Sequence, residues 1–169
     1  MAIFKMVSGS GKYQDDLAIP NLIAYITDGN KAKGDIIGGC SIDFNNIAGS
    51  MVQVSEHFKK NSHIRAHHFI VSFLPHEVHF VGVLMCIANQ ICQYFSDEYQ
   101  IVYALHEDTG YPHLHFVFNA VSYVDGHRYR GGIGEYKNLY YYIKRVLKEY
   151  YIYNYRDIKF NPATDHPNE

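Results

Sequence analysis

The chain has 169 residues, of which 47% are hydrophobic and 15% aromatic, which is enough for one domain with a packed core. Its formal net charge of -2 excludes bulk electrostatic attraction to nucleic acid, so any such contact must come from a local basic surface. The sequence begins without a signal-peptide pattern and has no apolar run of membrane-spanning length, so no membrane segment is predicted.

The three cysteines, Cys40, Cys86 and Cys92, do not have the spacing of metal ligands. Cys86 and Cys92 fall in an apolar helical pattern, which is typical of thiols in a core. The cysteines therefore predict a reduced, cytoplasmic protein.

The first part of the chain is predicted to alternate strands and helices. Residues 2–7 indicate a short strand, and residues 21–28, which follow Pro20, indicate a short helix that ends near Gly29. Residues 36–42 are typical of a glycine-containing strand. Apolar residues then recur at helical spacing between 47 and 58, which predicts an amphipathic helix.

The second part is richer in strands. Residues 67–73 predict a strand on which His68, Ile70 and Ser72 share one face. A helix is predicted to begin at residues 74–77 and to bury an apolar stripe that ends at Phe95. After the segment around residues 105–119, residues 121–129 predict a hairpin with its turn at Asp125-Gly126, and residues 139–150 predict a long helix.

Together these elements predict an α+β fold. The simplest assembly is a mostly antiparallel five-stranded sheet with helices on one face and the opposite face open. Residues 1–160 are expected to form one domain, and residues 161–169 a flexible tail.

Residues 105–119 carry the strongest chemical signal. They predict two antiparallel strands joined by a turn at 109–112. Alternation places His113, His115 and Asn119 on one face of the second strand, and the turn folds His106 and Asp108 back beside them. Three converging imidazoles predict a divalent metal site, with a carboxylate available to orient one of the rings.

The pattern His106-x-Asp108-x-x-x-x-His113-x-His115-x-x-x-Asn119 resembles the third motif of conjugative relaxases, which are mobilisation nucleases of the HUH superfamily. The likeness is closest to the VirD2-like and clostridial mobilisation-protein branches. The helix around Tyr25 is similar to the first motif of that family, and the strand that carries Ser72 to the second. The resemblance covers nearly the whole chain and implies the palm-like HUH nuclease fold.

The resemblance implies site- and strand-specific DNA nicking and rejoining at a transfer origin, in the transfer or mobilisation of a plasmid or integrative element. By that match Tyr25 is the nucleophile and stays attached to the DNA 5′ end as a phosphotyrosine ester. Asp108 would orient a ligand ring or shuttle a proton. The family implies Mn²⁺ or Mg²⁺ as the metal, although three neutral imidazoles would bind Zn²⁺ or Ni²⁺ more tightly in vitro.

The expected partners are single-stranded or hairpin origin DNA and accessory relaxosome proteins. Ser72 and Asn119 would position the DNA. A local basic surface is predicted from five residues, which are Lys31, Lys33, Arg128, Arg130 and Lys144.

Three alternatives remain open. A rolling-circle replication initiator or transposase would use Tyr141 of the Tyr141-x-x-Lys144 arrangement as its nucleophile. A nucleotide hydrolase of the histidine-triad type would need a third histidine at the position of Val117. A non-catalytic single-strand binding module would need stacked aromatic residues where this face carries histidines.

Overall fold

One six-stranded sheet forms the centre of the protein in the computed structural model. The structure describes residues 2–7, 13–30, 32–78, 80–153 and 155–157, and the side chains of 32–35 and 155–157 lie outside the description. The strands are β1 (Ala2–Met6), β2 (Ala32–Cys40), β3 (Ala66–Ser72), β4 (Ile101–His106), β5 (His113–Asn119) and β6 (Tyr155–Asp157). They lie in the order β2-β4-β5-β3-β1-β6.

Five of the strands pair antiparallel, and β6 adds to β1 in parallel. In the centre, β5 lies between β4 and β3. Its register places His113 opposite His106 on one side and opposite Ser72 on the other. Residues that are directly opposite share a face of the sheet, so these three side chains belong to the same surface.

Four helices surround the sheet. They are α1 (Ala18–Ile26), α2 (Ile47–His57), α3 (Val81–Gln93) and α4 (Ile133–Glu149). Helices α3 and α4 cover one face, where Leu84, Ile91, Ile143 and others join a core with alternate residues of the central strands. Those strand residues include Phe69, Val71, Leu105, Leu114, Phe116 and Phe118.

Helix α1 packs on the other face, the one that carries the histidines, and α2 packs beside it. The buried residues of α1 recur at helical spacing and form a second core with Met51 of α2 and with alanine and valine residues of the strands. The members of that core from α1 are Ile19, Leu22, Ile23 and Ile26, and those from the strands are Ala66, Val102, Ala104 and Val117. Tyr25 falls outside the buried stripe of α1 and is 45% exposed.

The predicted α+β class and the antiparallel five-stranded sheet are confirmed, with β6 as an additional edge strand. The expectation that helices cover only one face was wrong. Val102, Ala104 and Val117 are apolar on the histidine face as well, and that surface is stable only when another element covers it. No described helix has the length and apolar character that a bilayer crossing requires.

Several predicted boundaries also differ. Residues 121–129 form only an isolated bridge between Val121 and Arg128, because the Ser122 and Asp125 side chains accept backbone N–H groups within the turn and so compete with strand pairing. Helix α3 begins at Val81 rather than near residue 74, after a turn at 75–77.

The cysteine prediction holds only in part. All three thiols are free, and Cys92 is buried, but Cys86 is exposed on α3 and is not a core residue.

Candidate active site

His106, His113 and His115 converge on one point at the adjoining ends of β4 and β5. Each offers a ring nitrogen, and these nitrogens lie within 4.8 Å of one another. All three residues are buried, at 1%, 9% and 2% exposure. Buried imidazoles held this close fit a divalent transition-metal ion.

In His106 and His113, the nitrogen that points away from the cluster (the outer nitrogen) has a backbone carbonyl as its hydrogen-bond acceptor. His106 Nε2 lies 2.8 Å from the Ile26 carbonyl oxygen, and His113 Nδ1 lies 2.8 Å from that of Tyr111. A carbonyl only accepts, so the proton is on Nε2 of His106 and on Nδ1 of His113. The nitrogens that can coordinate a metal are therefore Nδ1 of His106 and Nε2 of His113.

The third ring, His115, has a side-chain partner, His68, to which the sequence prediction gave no role. His115 Nδ1 lies 2.8 Å from His68 Nε2, and His68 Nδ1 lies 3.3 Å from the Tyr13 hydroxyl. The predicted face of β3 contained the signal, because His68 alternates with Ile70 and Ser72. What was missing was the knowledge that β3 pairs with β5.

Tyr25 lies over this histidine cluster. Its ring centroid is 5.6 Å from that of His115, 6.2 Å from His106 and 6.4 Å from His68. The placement comes from α1, whose apolar stripe is buried against the sheet while its last carbonyl accepts from His106. The structure thus brings together Tyr25 and the three predicted metal ligands.

Asp108 is folded back beside the cluster, as the sequence predicts, but it does not contact the outer nitrogen of a ring. Its Oδ1 is 3.6 Å from His113 Nε2, which is the nitrogen that faces the metal position. The predicted role of orienting a ring is filled instead by the carbonyls of Ile26 and Tyr111 and by His68. The Asp108 carboxylate therefore adds negative charge on the metal side of His113.

Ser72 and Lys5 extend the histidine face towards β1. Ser72 is half-buried and lies opposite both His113 and Ile3. Lys5 is exposed and lies opposite Ile70, which in turn lies opposite His115. Lys5 thus supplies a positive charge on this surface that the sequence analysis did not single out.

A cavity of about 380 Å³ opens beside Tyr25, between α1 and the face of β3 that carries His68. Its wall includes Tyr13, Leu22, Tyr25, His68 and Ile70. Burial, and to a smaller extent the neighbouring Tyr25 phenol, raises the pKa of Tyr13. The cavity is mainly apolar with a few polar groups, which is the usual character of a small-ligand site.

Asn119 lies on the predicted face but is fully buried. Its Nδ2 donates to the Met51 carbonyl at 2.8 Å and to Gln100 Oε1 at 3.0 Å, and its Oδ1 accepts from the Val121 N–H at 3.1 Å. It is also six residue steps along β5 from His113, which is roughly 20 Å. The predicted DNA contact at Asn119 is therefore replaced by a structural role.

The predicted basic surface does not border the histidines. The Arg128 guanidinium donates to the carbonyls of Lys60, Ser62 and Ile64, at the end of the sheet remote from His113. Lys144 is on α4, which packs on the opposite face. Arg130 is exposed but follows the same remote segment, while Lys31 and the side chain of Lys33 lie outside the described residues.

Tyr141, the alternative nucleophile, is 60% exposed on α4. Helix α4 belongs to the core on the face that points away from the histidines. The sheet therefore separates Tyr141 from the candidate metal site.

Comparison with known protein families gives one match, to a model described as relaxase, MobA/VirD2-like, nuclease domain, over residues 25–152. The matched range begins at Tyr25 and includes Ser72 and the three histidines. No curated relative matches the chain.

Proposed function

Since this chain belongs to the family of MobA/VirD2-like relaxase nuclease domains and is a DNA-nicking nuclease, we propose that it nicks and rejoins one DNA strand at a transfer origin through Tyr25. The observation that carries the proposal is the position of the Tyr25 ring 5.6 and 6.2 Å from the rings of His115 and His106. A phenol and a three-imidazole site on one surface are the parts that tyrosine transesterification needs.

In the proposed reaction the Tyr25 hydroxyl oxygen forms a new bond to the scissile phosphorus. The bond between phosphorus and the 3′ oxygen breaks, and the phenolic proton is transferred so that the DNA leaves with a 3′-hydroxyl. The 5′ end stays on Tyr25 as a phosphodiester, and because the ester bond is conserved, reversal rejoins the strand without ATP.

His106 Nδ1, His113 Nε2 and His115 Nε2 would hold the divalent metal. When bound, such an ion offsets the negative charge of the non-bridging phosphate oxygens. We propose Mn²⁺ or Mg²⁺ as the ion used in the cell. Zn²⁺ and Ni²⁺ would bind more tightly to the same imidazoles in vitro. The carboxylate of Asp108 adds to the attraction for a dication because it lies on the metal side of His113.

The substrate surface that we propose runs from Tyr25 along β3 to β1. The cavity beside Tyr25 would receive the nucleotide next to the scissile phosphate, Ser72 would contact the adjoining backbone, and Lys5 would neutralise a phosphate. Single-stranded or hairpin origin DNA fits this arrangement, since a base must leave the stack to enter the cavity. Accessory relaxosome proteins and a role in plasmid transfer or mobilisation are part of the same proposal, as is the likeness to the clostridial branch.

The experiment compares two tyrosines that differ in their position relative to the histidines. Each variant, Tyr25→Phe and Tyr141→Phe, is incubated with Mn²⁺ and a single-stranded origin oligonucleotide, and SDS-resistant protein–DNA adducts are counted. Tyr25→Phe removes only the hydroxyl, so the adduct should disappear while metal binding is retained. Tyr141→Phe should form the adduct within a few-fold of the wild-type amount.

The opposite result, with an adduct from Tyr25→Phe and none from Tyr141→Phe, would favour the replication-initiator alternative. Absence of any adduct from the wild-type protein, on origin DNA that it binds, would count against tyrosine transesterification altogether.

A further inference from the structure

His115 is the only one of the three histidine ligands whose outer nitrogen meets another side chain among the described residues; His106 and His113 meet backbone carbonyls. We propose that His68 is a positioning residue that fixes the tautomer of His115 for metal binding, and that Tyr13 fixes His68 in turn. This inference rests on the metal site of the proposed function, but not on the nicking reaction.

The contact between the two rings follows from the sheet. His68 lies opposite Val117 on β5, and His115 lies opposite Ile70 on β3, so the two histidines are diagonal neighbours on one face. Both are 2% exposed, and their rings stack with centroids 5.1 Å apart at an interplanar angle of 26°. At that exposure water does not replace the 2.8 Å hydrogen bond between them.

The direction of this bond decides whether His115 is a ligand. If His68 Nε2 donates, His115 carries its proton on Nε2 and cannot coordinate a metal through that atom. If His115 Nδ1 donates, His115 Nε2 has the lone pair that the metal needs. His68 must then accept at Nε2 and carry its own proton on Nδ1, where the acceptor is the Tyr13 hydroxyl oxygen 3.3 Å away.

Tyr13 is held in place for this contact. Its carbonyl accepts from the Arg65 backbone N–H at 2.7 Å, and the Arg65 guanidinium binds the next residues through Gln14 O and Asp16 Oδ1. Tyr13 has a φ of 61°, a left-handed conformation that is unfavourable for a residue other than glycine. The clamp at Arg65, which is 8% exposed, maintains that conformation and keeps the phenol over His68.

The chain from Tyr13 through His68 to His115 therefore supplies an acceptor for each ring N–H when His115 is in its metal-binding tautomer. A backbone carbonyl can only accept, so His106 and His113 need no such selection. An imidazole can donate or accept, and His68 accepts from His115 when its own Nδ1–H donates to the Tyr13 hydroxyl oxygen.

The first test measures Zn²⁺ affinity by calorimetry in the purified, metal-free chain. His68→Leu removes the acceptor, and we expect a loss of about 10- to 100-fold in affinity, which is usual for the partner of a metal-bound histidine. His68→Gln places an amide oxygen near the position of Nε2 and should restore most of the affinity. His67→Leu is the matched control, since His67 precedes His68 on β3 but stacks on Phe118 on the other face; it should leave Zn²⁺ affinity unchanged.

The second test is nitrogen-15 NMR of the imidazoles in the Zn²⁺-loaded wild-type protein, and it does not depend on whether a variant folds. We expect protons on Nδ1 of both His115 and His68. Tyr13→Phe should weaken Zn²⁺ binding less than His68→Leu does, because the 3.3 Å bond that it removes is the longer of the two.

Four results would overturn the inference: wild-type Zn²⁺ affinity in His68→Leu, equal weakening by His68→Leu and His68→Gln, an equal loss in His67→Leu, or a proton on Nε2 of His68 in the loaded protein. A wild-type protein that shows the expected isotherms and tautomers but forms no covalent DNA adduct would refute the proposed function and leave this inference standing.

Discussion

Replacing Asn119 by Ala tests whether this residue supports the fold or contacts DNA. The change removes three hydrogen bonds, to the Met51 carbonyl, the Gln100 side chain and the Val121 N–H. A net contribution of about 1 kcal/mol for each bond gives a loss of about 3 kcal/mol in the free energy of unfolding. The partner groups are also buried, so water satisfies them poorly and the loss should not be smaller than this.

For a chain of this length, a loss of about 3 kcal/mol corresponds to a fall in Tm of about 6–12 °C. The assay is urea and thermal unfolding of Asn119→Ala beside Asn138→Ala, an exposed asparagine on α4 whose replacement should change stability by no more than about 0.5 kcal/mol. Oligonucleotide affinity is measured on the same samples by fluorescence anisotropy, well below the transition, and should equal that of the wild type. Unchanged stability together with weakened DNA binding in Asn119→Ala would refute the reasoning.

Three further predictions concern the metal, the DNA surface and pH. His113→Ala should lower Mn²⁺ affinity about 100-fold or more by calorimetry, since one of three protein ligands is lost, whereas exposed His57→Ala should not. Lys5→Ala should reduce the steepness of log affinity against log salt by about one unit. Arg128→Ala should lower stability and leave that slope unchanged. If instead Arg128→Ala reduces the slope and Lys5→Ala does not, the DNA surface lies at the remote end of the sheet. Burial lowers the pKa of His67 from 6.5 to about 4. Between these two pH values the unfolded chain binds a proton that the folded protein does not. This difference should lower the free energy of unfolding by roughly 3 kcal/mol from pH 7 to pH 4. In urea titrations, most of this decrease in the free energy of unfolding should be absent from His67→Gln. An equal decrease in the variant and the wild type would contradict the assignment to His67.

The convergence of the three histidines could be predicted because it depends on local geometry. His113 and His115 share a face through the two-residue period of a strand, and a short turn returns His106 to their side. No long-range information is needed for either step. Tyr25, by contrast, came from the likeness to a family, since one of 16 tyrosines on a short helix carries no signal of its own.

The partners of the metal ligands could not be predicted, because two of them are main-chain carbonyls. Any residue can supply such an acceptor, so Ile26 and Tyr111 leave no trace in the sequence. Asp108 was the evident candidate because carboxylates often fill that role, yet the turn carries it to the metal side of His113. The contact between His68 and His115 depends on β3 lying beside β5, and the pattern of residues alone does not give the order of the strands.

The basic residues show a different limit of sequence reasoning. Arg128 and Lys144 are close in a charge-rich segment, but the first is bonded to three loop carbonyls and the second lies on a helix behind the sheet. A cluster of charge along the chain says little about which surface carries it. Lys5, a single lysine in an apolar strand, reaches the histidine face because β1 pairs with β3.

The hydrogen bond from His106 to the Ile26 carbonyl also constrains which insertions and deletions the chain can tolerate. Tyr25 and that carbonyl belong to consecutive residues at the end of α1, so their separation along the helix is fixed at one step. Inserting a residue between them would turn Tyr25 by about 100° around the helix axis while Ile26 kept its bond to His106. Length changes after Ile26 alter only the connection to β2, whereas one residue inserted between Tyr25 and Ile26 moves the phenol off the histidines.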